Sequence, residues 1–551
     1  MLTRRDILKS FLGLPVALTA CKTDYAQTEI TGEIVGASSS MGHILREKRN
    51  WVRPKAPTGE VDVAIVGGGV AGLSAAWKLK KEGIEDFQLF ELEPRLGGTS
   101  ASDSANLANN TFKQVETGGK YGYPWGAHYL PVPFRENKDL VGLLNEMGLI
   151  DSRKENGDLV ISEEFLTRDP EERVFYKGRW YEGLYLHAGE SSEDRRQFAR
   201  FERLVAYWTG WKDSSGKRAF AVPVAVCSND SEVTNLDAIS FAEWLRLNEL
   251  NSARLLWYCD YACRDDYGLR LEQTSAWAGL FYFCSRVRRP GGDSQPFITF
   301  PEGNGRFVRH MASSVDENAH RGRIVIELKP LDGGVEVLIL NTQTQQIELL
   351  NANRVIFAAP LFTASFLIQG FAEARPFDPG QFRHNSWFVA NLFLKDRPKN
   401  RFERDFPLAW DNVLYESRSL GYVTSTHQKG IDYGPTILTY YYPMAETDLR
   451  TGMSKLLALD WKELADICFT DLAQAHPDIR LLTQRIDIMR WGHAMISPRT
   501  GFIWSGEREK AAKPYRNIHF AHSDMSGIAI FEEAFFHGVS AANKISQEVR
   551  G

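Results

Sequence analysis

Downstream of residue 58 the apolar positions first gather at Val61–Val66, a short run that stops at Gly67, Gly68 and Gly69. A run of that length closed by glycines predicts a strand buried in a parallel sheet. Ala71 to Lys81 then carries helix-forming residues, and Phe87–Phe90 predicts a second apolar strand, closed by Glu91. The N-terminus reads differently. Arg4 and Arg5 precede an apolar run that stops at Cys21 and falls short of the ~20 residues a spanning helix needs. A basic start, an apolar middle and small residues before a cut site predict an export signal. Residues 22 to 59 mix Thr, Ser, Gly and charges without periodicity and predict a tether. No later run reaches 18 apolar residues, and there is no internal repeat.

Gly67, Gly69 and Gly72 form a G-x-G-x-x-G between the first strand and the helix. The first glycine permits the tight turn, the second lets backbone approach a pyrophosphate, and the third lets helix and sheet pack closely. The helix N-terminus directs N–H groups at phosphate, and Glu91 at the end of the second strand suits a ribose diol. Strand, glycines, helix, strand and acid in that order predict a dinucleotide site.

The glycines do not separate NAD from FAD. The segment ELEPRLGG, Glu91 to Gly98, resembles the E-x-x-x-R-x-G-G of the flavin amine oxidase and phytoene desaturase superfamily. That resemblance implies non-covalent FAD, with Arg95 near the adenosine ribose and phosphate and Gly97 and Gly98 close to the pyrophosphate. Thr99 stands where the family commonly has arginine. YPWGAHYLP, Tyr123 to Pro131, resembles the segment beside the flavin ring, where Gly126 and Ala127 would admit the isoalloxazine. FPEGNGRFVRHM from Phe300, RVIFAAP from Arg354 and NIHFAHSDMSGIAIFEEAFFHG from Asn517 continue the likeness. In the last, Asp524 would hold a ribitol hydroxyl and a helix from about Ile528 would point at the cofactor. The implied fold class is α/β: a discontinuous Rossmann-like FAD-binding domain (60–150, 300–372, 485–551) and a second, α+β substrate domain with a mixed sheet (151–299, 373–484). Trp387–Leu394 and Thr436–Tyr442 would be strands of that sheet. At the N-terminus, Thr3 to Lys9 resembles a twin-arginine signal and Leu18–Cys21 a lipoprotein box. These imply export of a folded, FAD-loaded chain by the twin-arginine translocon and a lipid on Cys21. The resulting location is the periplasm or cell envelope, anchored to a membrane.

Composition narrows the partners. A net charge of −5 over 551 residues gives no general basic field for nucleic acid. Apart from Cys21, the five cysteines are scattered with no C-x-x-C, which argues against a disulfide framework or a metal site. None follows Cys468, so a covalent flavin through a late cysteine is ruled out.

The chemistry expected is oxidation of a small organic molecule, an amine or similar, with hydride passing to flavin N5 and on to oxygen or a quinone. Desaturation of an apolar substrate and non-catalytic flavin binding are the alternatives. The superfamily's amine oxidases use a lysine near N5; the corresponding strand, SWFVANLFL, has Val389, Ala390 and Asn391, and Lys395 reads as a surface charge. Candidate catalytic residues are Trp491 and His493 in RWGHAMISP and His128 in GAHYLP; either histidine could instead be packed structure. YCDYACRDDYG, Tyr258 to Gly268, reads equally as a pocket wall with carboxylates or as a capped helix end with an ion pair, and Trp410–Asn412 is a similar case.

Overall fold

The computed structural model describes residues 29–46, 51–107, 121–402, 405–445 and 448–550. The export signal and Cys21 lie outside them. The chain enters its first sheet on β1 (Gly59–Val66), crosses on α1 (Val70–Lys81) and returns on β2 (Phe87–Glu91). A long excursion containing α2 (Ala253–Tyr267) precedes the return on β3 (Ile347–Phe357). The chain then leaves for β4 (His384–Leu394), β5 (Thr436–Pro443) and β6 (Thr483–Ile496), and ends on β7 (Ile518–Phe520) and α3 (Phe531–Arg550).

The first sheet has β1 at its centre, parallel to β2 on one side and β3 on the other, with β7 parallel to β3. Two antiparallel strands, Val335–Asn341 and Arg323–Pro330, extend it beyond β3. The apolar run of β1 is buried as its sequence predicts: Val63, Ala64 and Ile65 are all fully covered. α1 and α3 pack on one face, where Leu73, Ala75, Phe535 and Ala542 share a core with Val63, Ile65 and Leu89.

The second sheet has eight strands, in the order Ile34–Val35, β6, β4, β5, Gly421–Thr424, Asp411–Leu414, Glu172–Tyr176, Arg179–Glu182. It is mixed: most pairs are antiparallel, but Asp411–Leu414 runs parallel to Glu172–Tyr176. All eleven residues of β4 are buried, which accounts for its mostly apolar stretch from Trp387 to Leu394. One face carries Phe388, Leu392, Leu438 and Ile488; the other carries Val389, Phe393, Trp410, Tyr441 and Met489 and meets the first domain.

Two sequence boundaries are corrected. The sequence boundaries put the return to the flavin domain at 485, but β6 stays in the second sheet to Ile496, because Ile486 and Ile488 bury in the same core as Leu392. The tether expected over 22–59 is docked in its described part: Ile34–Val35 pairs in parallel with Ile488–Met489, and a helical turn, Ser39–Ile44, follows with Ser38 as its cap. No helix among the described residues is long and apolar enough to cross a membrane.

Candidate active site

The turn after β1 has the form a dinucleotide needs. Gly67 sits at φ 104°, which side chains rarely adopt. A Cβ on Gly72 would lie 1.9 Å from the Gly67 carbonyl oxygen, so only glycine lets α1 come this close. At Gly69 the opposite holds: a Cβ there would meet nothing within 4 Å, so the backbone faces open space. Gly69 is also the N-cap of α1, and no side chain caps that end. Its N–H groups and the helix dipole favour an anion. Gly97 and Gly98 form the adjoining turn, and the Gly97 N–H donates to the Gly68 carbonyl at 2.8 Å.

Glu91 closes β2 with 7 % of its surface exposed. Its carboxylate accepts the Gly68 N–H at 2.6 Å and the Glu93 N–H at 2.8 Å. Burial pushes it up to about 7 even against those two donors. The open backbone at Gly69, the uncapped helix end and this desolvated acid together fit a ribose-pyrophosphate cofactor.

The segment Pro124–His128 crosses between the two domains, and three strands of the second sheet grip its carbonyls. Asn391 of β4 donates to Pro124 at 3.0 Å, Trp491 of β6 to Trp125 at 2.9 Å, and Tyr441 of β5 to Gly126 at 2.8 Å. On the other side the Ala127 N–H donates to Thr99 at 3.0 Å, and a Cβ on Gly126 would lie 2.6 Å from that same oxygen. Thr99 thus enters through its backbone.

Beyond this segment stands an aromatic wall. The His128 ring lies 4.8 Å from Tyr441, 5.0 Å from Tyr129 and 5.4 Å from Trp410, and Phe297 lies 4.6 Å from Tyr129. Beside it sit three acids. Asp411 and Glu172 are register partners on adjoining parallel strands, so their side chains leave the same face. Asp265 comes from α2, one turn after Tyr261, whose hydroxyl donates to Asp411 at 3.3 Å. Burial pushes Glu172 up to about 8 and Asp265 up to about 7, and lifts Asp411 well above the carboxylate range. Neighbouring acids add to burial: Glu171 and Asp265 raise Glu172, Glu172 and Asp265 raise Asp411, and Asp266 raises Asp265. No side-chain hydrogen bond is made by Glu172 or Asp265 among the described residues. Asp266, the next residue, is neutralised differently, by Arg286 at 3.3 Å and the Tyr129 hydroxyl at 3.4 Å.

With that geometry in view, the family comparison decides the identity. Residues 70–546 match the model of the flavin containing amine oxidoreductases. The chain belongs to that family. It is an FAD-dependent oxidoreductase with the mixed α/β fold of FAD-dependent amine oxidases. Among curated proteins it is similar to oxidoreductase PigB of Serratia sp. (strain ATCC 39006), 23% identical over 298 residues. That match covers 51% of this chain and 42% of the relative, so the chain spans under half the relative's length. Solved structures with the same fold include putrescine oxidase bound to putrescine (TM-score 0.61, 16% identity, 88% of this chain and 99% of that one). Cyclohexylamine oxidase from Brevibacterium oxydans IH-35A is similar at TM-score 0.61 and 14% identity, over 89% and 100% of the two chains. A putative protoporphyrinogen oxidase from Exiguobacterium sp. 255-15 follows at TM-score 0.56 and 14% identity, over 89% and 99%.

Within this flavoenzyme the remaining sequence candidates fall as follows. The Arg95 guanidinium pairs with Asp103 at 2.9 Å and lies 5.0 Å from the Trp125 ring. Asp524 is fully buried; its oxygens meet His384 at 2.8 Å, His522 at 3.0 Å and the Leu361 N–H at 2.9 Å. Burial alone would raise this carboxyl, but the two imidazoles hold it far below the usual range. Asp524 therefore ties β4 and β7 to the turn after β3. His128 is pushed down to about 3 by burial, and His493 to about 4 by burial with His384 and Arg46 adding, so both rings are neutral at physiological pH. Trp491 acts on the site by holding the Trp125 carbonyl. Of the Tyr258–Gly268 cluster, Asp260 makes the ion pair, with Arg264 at 3.0 Å and Arg270 at 2.8 Å, and Gly268 caps α2. Asp265 joins the wall, so both readings of that stretch hold, on different faces. Glu172, Phe297 and Tyr441 carried no signal in the sequence; they reach the site only through pairing of distant strands.

Proposed function

We propose that this flavoenzyme oxidises an organic amine that enters as a cation and meets the acids Glu172, Asp265 and Asp411 beside the wall of His128, Tyr129, Trp410 and Tyr441. The observation that carries this reading is the acid trio: three partly accessible carboxyls share one face of the wall, and two of them accept no side-chain hydrogen bond among the described residues. A cation relieves that arrangement and an apolar substrate does not.

FAD, held non-covalently, supplies the electron acceptor when bound, taking hydride at N5. The chain's own residues handle binding and the proton. An ammonium must lose its proton before its α-carbon can give up hydride. Asp265, near 7, is matched to accept that proton at neutral pH, while Glu172, near 8, is mostly protonated there. The aromatic faces favour the neutral amine once the proton has left. His128, neutral, adds no repulsion to an incoming cation. Asn391, Tyr441 and Trp491 fix the Pro124–Gly126 carbonyls, which sets the spacing between the two domains.

Putrescine oxidase and cyclohexylamine oxidase, which share the fold, are both named for amines, and that supports the same substrate class. Residues 3–21 support folded export and a lipid on Cys21, with oxygen or a membrane quinone as electron acceptor.

The test is an anaerobic screen of the purified holoprotein, following flavin absorbance, repeated with oxygen. Primary amines and diamines are expected to bleach the flavin, and Asp411→Asn to slow that bleaching. Bleaching by apolar alkenes or porphyrinogens, with every amine inert, would overturn the assignment.

A further inference from the structure

Residues 29–46 read as a loose connector in the sequence, yet they are fitted to both domains. Two glycines make the fit. A Cβ on Gly32 would lie 1.9 Å from the Ile486 carbonyl oxygen and 2.8 Å from the Trp461 ring. A Cβ on Gly36, at φ 91°, would lie 3.3 Å from Met489 and 3.6 Å from Trp125. Between them the chain adds a strand to the edge of the second sheet. The Ile486 N–H donates to Thr31 at 2.9 Å and the Ile488 N–H to Glu33 at 3.0 Å, while Arg485 pairs with Glu33 at 2.6 Å. The segment then crosses to the other domain. The Ser38 N–H donates to Glu93 Oε1 there at 2.6 Å, and the segment ends with the Arg46 guanidinium 3.5 Å from His493 Nε2, back on β6.

Each landing point neighbours the cofactor site. Glu93 donates its own N–H to Glu91, the acid that suits the ribose. Trp125 carries Arg95 over its ring and precedes Gly126. His493 lies two residues past Trp491, which holds the Trp125 carbonyl. We propose that residues 32–46 form a latch over the FAD cleft, holding the two domains closed on the cofactor by joining the edge of β6 to Glu93. Opening it separates Glu93 from Ser38 and frees the outer side of Trp125, so the latch slows escape of bound FAD without touching the reacting atoms.

The inference rests on FAD as the cofactor, which flavin bound to the wild-type protein establishes separately. Three variants of the full chain test it: Gly32→Val, which cannot seat against Ile486; Ser38→Pro, which removes the N–H donated to Glu93; and deletion of residues 29–46. The readout is the rate of flavin fluorescence recovery after dilution, with thermal melts of each apoprotein. The deletion, Gly32→Val and Ser38→Pro are each expected to release FAD at least about tenfold faster, the last in line with loss of one hydrogen bond to a charged group. A deletion variant that melts cooperatively and releases FAD at the wild-type rate would overturn the proposal. Should the deletion fail to fold, an unchanged rate in Ser38→Pro overturns it equally.

Discussion

The clearest test of the cofactor site sets two glycines of one motif against each other. At Gly69 an added methyl meets only open space in the cofactor-free chain, and its φ of −72° suits any residue. Gly69→Ala should therefore fold normally, with apoprotein stability within ~1 kcal/mol of wild type, since the N-cap preference for Gly and the unfolded-state gain from Ala oppose each other. The same methyl would occupy the space through which a pyrophosphate approaches the turn. Overpacking of that kind costs about 1–3 kcal/mol, which is about 5- to 150-fold in Kd. At Gly72 the methyl would lie 1.9 Å from the Gly67 oxygen and 3.1 Å from its carbon, both backbone atoms that cannot swing aside. Gly72→Ala should destabilise even the apoprotein, by about 3 kcal/mol or more. The assay pairs an FAD titration by fluorescence quenching with denaturant unfolding of the apoprotein. If Gly69→Ala bound FAD like wild type, the open face of the turn would not be where the cofactor approaches. If Gly72→Ala were as stable as wild type, the close-packing account of the motif would be wrong.

Further outcomes follow from the same geometry. With Asp265 and Glu172 titrating near 7 and 8, well above ordinary carboxylates, the folded chain holds more protons than the unfolded one between about pH 4.5 and 8. Stability of the substrate-free protein should therefore fall as pH rises through that range, a slope that Glu172→Gln should flatten in melts taken from pH 5 to 8. Amine affinity runs the other way and should improve as pH rises from 6 to 8; Glu172→Gln should shrink the upper part of that rise, because the acid near 8 no longer ionises, while leaving the part that follows Asp265. Asn391→Ala leaves the Thr439 hydroxyl, which donates to Asn391 at 2.7 Å, without its acceptor and frees the Pro124 carbonyl. It should lower stability by about 1–3 kcal/mol and reduce kcat, both measurable on the purified protein. Asp524→Asn removes the charge facing His384 and His522 and should cost about 3 kcal/mol at pH 7, with the difference from wild type shrinking as pH falls below 4.

The local code was legible and the long-range code was not. Val61–Val66, the glycines, Ala71–Lys81 and Glu91 lie within one βαβ unit, where each residue's neighbour in space is also near in sequence, so pattern alone placed the cofactor turn. The strands Trp387–Leu394 and Thr436–Tyr442 were legible because burial on both faces leaves mostly apolar and aromatic runs, broken only by Asn391, Thr436 and Thr439. The partners of those strands were invisible: nothing in DNVL or ERVFY announces that Asp411 will stand opposite Glu172. The boundary at 485 failed for a related reason, since β6 pairs with β4 across about a hundred residues, a pairing that nothing local in Thr483–Ile496 announces. Residues 29–46 misled in the opposite direction. Their glycines and serines read as flexibility, whereas Gly32 is there to let two backbones touch.

The acid trio also bears on which of the two sequence alternatives, amine oxidation or desaturation of an apolar molecule, suits this chain. An unpaired carboxylate facing an apolar ligand loses its water and gains nothing, so it protonates, and its raised pKa measures that penalty at 1.4 kcal/mol for each unit. An ammonium at about 6 Å, in an effective dielectric of about 20, returns about 3 kcal/mol per carboxylate, about a hundredfold in affinity. The sign differs between the two substrate classes, not only the size. A chain built for an apolar molecule gains by replacing Glu172 or Asp411 with a neutral side chain, because the wall then loses a desolvated charge. A chain built for a cation loses affinity with each replacement. Glu172→Gln and Asp411→Asn therefore report the substrate class before the substrate itself is known: stabilised apoprotein in both cases, with amine binding weakened and binding of a neutral aromatic ligand unchanged or tighter.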